Sequence, residues 1–126
     1  MGSVFTERKT LQTADGPMDV IHSSPTDRPR GGVVVVQEAF GLTGHIQRVT
    51  EAVAEAGYMA IAPALFHRST EQVFGYGDFE KLGPVIMALT AQTIEMDVDA
   101  AFAELVRNRI DESNLAMMGF CMGGTI

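Results

Sequence analysis

Hydrophobic and polar positions divide the chain into short β-like runs and two helical stretches. Residues 4–13 favour β structure and partly alternate, and Met18 to His22 alternate again. Asp15-Gly16 lies between them, so the spacing predicts a strand, a tight turn and an antiparallel strand. Ser23 to Gly32 holds two Pro, two Arg and two Gly and reads as an exposed loop. Val33-Val34-Val35-Val36 is a continuous β-branched run. Such a strand is buried on both faces, which points to a parallel sheet covered by helices. Ile46, Val49 and Val53 then share one helical face, with Thr43 as cap and Gly57 as stop. Tyr58 to Ala62 is another apolar strand, ended by Pro63. This makes a β-α-β unit, whose crossover is right-handed in nearly all sheets.

Leu65 to Gly83 carries Phe66, Phe74, Tyr76 and Phe79 without a steady period. A loop with a broken helical segment is expected there, and a short helix from Pro84 through Leu89. Ile94, Val98, Ala101, Phe102 and Leu105 predict an amphipathic helix. Glu95, Asp97, Asp99, Glu104 and Arg107 are expected on its solvated outer face. Asp111 to Asn114 is a turn, and Leu115 to Met118 is the last strand. The order β-β-β-α-β-α-β is the first half of a doubly wound α/β domain. The expected sheet is mostly parallel, with helices on both faces. Only about one helical turn follows the last strand, so residues 1–126 read as the N-terminal part of a single domain.

Composition narrows the function classes. Apolar residues make up 46% and charged residues 20%, enough to bury a core. A net charge of −7 argues against nucleic acid and anionic membrane surfaces as partners. The single Cys excludes an internal disulfide and fits a reducing, cytoplasmic compartment. No apolar run reaches the roughly 20 residues that span a bilayer.

The candidate chemistry sits at Gly119-Phe120-Cys121-Met122-Gly123-Gly124, just after the last strand. Gly-x-Cys-x-Gly has the spacing of a nucleophile elbow, a sharp strand-to-helix turn that presents a reactive side chain. A thiol at a helix N-terminus has a lowered pKa, and the Met122 N–H would point at a forming oxyanion. A second oxyanion donor in such sites comes from the loop after an earlier strand. Here that loop is Glu38-Ala39-Phe40-Gly41, which makes Ala39 the expected donor and Phe40 the next choice. Glu38, at the end of a buried strand, needs a partner or a role, and it can modulate ionisation of the thiol.

A Cys nucleophile normally needs a His base. His22, His45 and His67 all precede Cys121, and nothing from Met122 to Ile126 is acidic or basic. His22 falls on the early hairpin and His45 on a helix; His67, in the loop after a strand, can approach the site. No His, Cys and carboxylate set has metal-ligand spacing, and the glycines form no dinucleotide or phosphate loop. No metal and no cofactor are expected.

Val33–Gln37, Glu38-x-Phe40-Gly41, Gly57-Tyr58 with the strand to Pro63, and Gly119-Phe120-Cys121-Met122-Gly123-Gly124 occur together. This combination resembles the dienelactone hydrolase family, over most of residues 30–126. The resemblance implies an α/β-hydrolase fold, truncated here after the nucleophile elbow, and hydrolysis of esters or lactones through an acyl-thiol intermediate. It implies Cys121 as nucleophile, Glu38 as the acid paired with the resting thiol, and Ala39 and Met122 as oxyanion donors. The family's Asp and His would lie beyond residue 126. Dienelactone-type members also hold a substrate carboxylate with an Arg and a Tyr. Tyr76 is a candidate, with Phe40 also lining the substrate, but no matching Arg lies between Ser69 and Gly83.

Two other classes fit the isolated residues: an inactive fragment or binding module that needs a C-terminal partner segment, and a redox-active thiol protein. Substrate identity and oligomeric state leave no mark in the sequence.

Overall fold

The computed structural model describes residues 3–75 and 77–119. Strands β1 (Val4–Thr13), β2 (Gly16–Pro25) and β3 (Gly32–Val36) lead into helix α1 (Gly44–Glu55). Strand β4 (Met59–Pro63), helices α2 (Phe79–Met87) and α3 (Ala91–Arg107) and strand β5 (Leu115–Gly119) follow. The sheet order is β1-β2-β4-β3-β5. β1 with β2 and β2 with β4 are antiparallel, whereas β3 pairs in parallel with both β4 and β5. The parallel part expected from the valine run is therefore β4-β3-β5, and the early hairpin extends it on one side.

The buried strands are those without alternation. Every residue of β4 is buried, as are Val34, Val35 and Val36. These side chains form one cluster with Met18, Ile21, Ile46, Leu65 and Leu105. Helices cover both faces. Neighbouring residues of β1 point to opposite sides. The Arg8 guanidinium donates to the Leu42 carbonyl at the entrance of α1, 3.3 Å away, while Lys9 Nζ meets Glu104 of α3 at 2.7 Å. So α1 and α3 lie on opposite faces. Thr43 caps α1 by accepting the Ile46 N–H. Gly57 follows that helix at φ +105°, a conformation that costs a residue with a Cβ.

Three expectations need correcting. Strand β2 runs on to Pro25, because its backbone pairs with β1 as far as Val4. Helix α2 starts at Phe79, not Pro84, and Pro84 lies inside it. Asp78 occupies its N-cap, and the helix runs on to Met87 despite the one N–H that Pro84 lacks. The third correction concerns the outer face of α3. Asp97 and Glu104 are 0% and 8% exposed. Both fall three residues after a position on the apolar stripe (Ile94 and Ala101), so the helix turns them inward. Each is buried with cationic partners.

Among the described residues, no helix is long and apolar enough to cross a membrane.

Candidate active site

β3 is buried on both faces, so its chain emerges at the sheet edge with little freedom. Gln37, fully buried, takes up the first turn. Its side-chain carbonyl accepts the Leu65 N–H at 2.8 Å, and its amide donates to the Glu38 carbonyl at 3.2 Å. One side chain thus ties the loop after β3 to the loop after β4. Beyond it, Glu38 and Gly41 form an isolated bridge, and the Phe74 N–H donates to the Phe40 carbonyl at 3.0 Å. Gly41 has φ +94°, and a Cβ there would overlap the Gln72 carbonyl oxygen. Glycine is therefore required for this loop to close against residues 72–74.

The Glu38 side chain is 14% exposed. The imidazole of His45 lies near it, with Nε2 3.8 Å from Oε1. The two line a hollow of about 270 Å³ together with Phe40, Arg48 and Phe74. The Ala39 N–H donates to no group among the described residues, as an oxyanion donor requires. Phe40 stacks edge-on against Phe79, with ring centroids 6.3 Å apart. The structure therefore brings Glu38, Ala39 and Phe40 together in one pinned loop. Cys121, Met122 and Tyr76 lie outside the described residues.

A second cluster was not expected. Asp97 accepts from Arg68 Nη1 at 2.9 Å and Nη2 at 3.0 Å, and its Oδ1 is 3.0 Å from His67 Nε2. Arg68 Nε donates to Asp15 at 2.7 Å. The Asp97 hydrogen bonds raise the Arg68 pKa above its ordinary value, outweighing partial burial. The His67 side chain is 2% exposed, and its Nδ1 has no partner among the described residues. So His67 is engaged with α3 through its other nitrogen. One signal of this cluster was in the sequence: a carboxylate at position 97 on the apolar stripe demands a partner. Its partners are 29 and 30 residues away, which helical periodicity cannot reveal.

His22 is 4% exposed, and neither ring nitrogen has a hydrogen-bond partner among the described residues. Burial lowers its pKa, and nearby Lys9 lowers it further. Glu104 shows the opposite balance. Burial raises its pKa, but hydrogen bonds from Lys9 and Arg107 prevail and hold it below the ordinary carboxylate value.

Comparison with known proteins places this architecture. A family model described as "Dienelactone hydrolase family" matches residues 18–126. The chain is 34% identical over 115 residues to a "Putative carboxymethylenebutenolidase" of Escherichia coli (strain K12), covering 86% of this chain and 41% of that protein. A crystal structure titled "Putative Dienelactone Hydrolase" from Klebsiella pneumoniae superposes with TM-score 0.88 at 28% identity, over 98% of this chain and 52% of that one. A dienelactone hydrolase-like promiscuous phosphotriesterase from metagenomic libraries superposes with TM-score 0.74 at 27% identity, over the same shares. The chain thus spans about two fifths to one half of the length of these relatives, and its sheet and helices have the α/β-hydrolase arrangement. With the family model matched from within β2 through residue 126, the chain belongs to the dienelactone hydrolase family.

Proposed function

We propose that the full-length protein is a carboxylic-ester or lactone hydrolase with Cys121 as nucleophile. The observation that carries this reading is the register of the parallel strands: Val36 of β3 pairs with Gly119 of β5. The segments that leave these two strands start side by side at one sheet edge, about 4.8 Å apart. Glu38 is two residues past Val36, and Cys121 is two residues past Gly119.

In this reading Glu38 promotes loss of the thiol proton. The thiolate attacks the carbonyl carbon, and the Ala39 and Met122 N–H groups hold the oxyanion. Each such donor typically contributes about 2.7–4 kcal/mol to the transition state. The carbon–oxygen bond then breaks, and the leaving alkoxide takes the proton that the thiol gave up, carried between them by a His of the full-length protein. Water cleaves the acyl-thiol, giving the acid and restoring the thiol. The Ala39 N–H, which donates to no group among the described residues, and the partly buried Glu38 support these roles, as do the names of the relatives. Phe40 and Tyr76 are proposed to line the substrate.

The test is ester turnover by the full-length protein and its Cys121→Ala variant. Loss of turnover in the variant is expected; equal rates would sink the assignment.

A further inference from the structure

An apolar cleft of about 290 Å³ lies between α2 and the loop after β4. Phe66, Val85 and Leu89 line it, and they belong to the same apolar cluster against which Ala39 and Phe40 pack. The cleft wall and the loop that carries the proposed oxyanion donor thus pack into one apolar cluster. Arg68 is the only charged residue on its wall among the described residues. A guanidinium at the wall of a cleft is ordinarily suited to a carboxylate. Here it is already occupied. Its Nη1 and Nη2 form a fork on Asp97, Nη2 also reaches Met96 Sδ at 3.7 Å, and Nε donates to Asp15. Four of the five guanidinium N–H groups are used, and both carboxylates that use them are part of the protein. A carboxylate entering this cleft would lose water without gaining a free positive charge.

We infer that this cleft takes a small, uncharged apolar acyl group, and that Arg68 is a structural clasp rather than an anchor for a substrate carboxylate. The inference rests on the hydrolase reading above and names its substrate class: neutral esters with short branched or linear acyl chains. The volume sets the size limit, since it lies at the lower end of small-molecule pockets, about 300 Å³.

The experiment uses the full-length protein and its Cys121→Ala variant in pH-stat assays. The substrates are methyl 4-methylpentanoate and monomethyl succinate, which match in shape and differ in one charge. The expected kcat/KM is about tenfold or more higher for the neutral ester, and it disappears in Cys121→Ala. Ala88→Phe, at an exposed position on the cleft rim, is expected to lower turnover of methyl 4-methylpentanoate more than that of methyl acetate. Cys121-dependent turnover that is equal for the two esters, or favours monomethyl succinate, overturns the inference and leaves the hydrolase reading standing. An unchanged ratio in Ala88→Phe also overturns it. Turnover that persists in Cys121→Ala, or is absent with both esters, overturns the hydrolase reading and the inference with it.

Discussion

Glu38, Asp97 and His22 are three titratable residues in three different balances. Glu38 stands at the end of a buried strand, with the half-exposed imidazole of His45 3.8 Å away. Among the described residues nothing holds it in a tight ion pair, which suits a carboxylate proposed to act on another group. Glu38→Gln keeps the shape and removes the charge. Turnover by the full-length protein is expected to fall roughly 10²-fold, the lower end for loss of a proton-transfer group. Unchanged turnover would remove Glu38 from the proposed mechanism. Asp97 is the reverse case, fully buried and held by a bidentate fork. Asp97→Ala leaves Arg68 and His67 facing each other without the carboxylate. Breaking a buried pair costs about 3–5 kcal/mol; Arg68 is a quarter exposed, so a loss near the lower end is expected in the urea midpoint. A midpoint close to that of the unsubstituted protein would show that the cluster is not coupled to folding.

The elements explain why some of the site could be read from the chain and some could not. The loop after β3 was visible because its signals are local: a β-branched run, then Glu-Ala-Phe-Gly. Its exact closure depends on Gly41, whose positive φ and contact with Gln72 join segments about 30 residues apart. Gly41→Ala is expected to lower stability by about 1–3 kcal/mol from the backbone conformation alone. It should also lower turnover, since Ala39 lies in the same loop; a normal melting temperature with normal turnover would contradict this. Helix α3 is legible as an element, and Glu95, Asp99 and Arg107 lie on its exposed face as expected, whereas Asp97 and Glu104 do not. Its apolar stripe is legible at period 3.6, but the stripe is wide enough to include Asp97 and Glu104. Whether a carboxylate at such a position is solvated or paired depends on which cation another element brings to it.

At the scale of the whole molecule, acid is expected to weaken the fold in two stages. His22 has a folded pKa below its ordinary 6.5. The unfolded chain therefore binds the extra proton first, so this contribution is complete above pH 6.5 and is lost as pH falls below it. Glu104 has a folded pKa below its ordinary 4.5. Its contribution is present above 4.5 and is lost as pH falls further, through the folded value. A plot of melting temperature against pH should show both declines. His22→Leu should remove the upper one, and at neutral pH it should be near neutral or stabilising, because it deletes two buried nitrogens that have no partner. Persistence of the upper decline in that variant would exclude His22 as its source.

Local pattern in the chain was enough to define the strand runs, the two amphipathic helices, the cap at Thr43 and the Glu38–Gly41 and Cys121 motifs. These follow from side-chain period and from chemistry between near neighbours, which hold wherever the segment is placed. The tertiary structure alone decided that β4 lies between β2 and β3, that Gln37 links two loops, and that Arg68 is bound by Asp97 and Asp15. The reason is the same in each case. Burial and charge pairing are settled between groups such as Lys9 and Glu104, 95 residues apart, and only the folded chain brings them within reach.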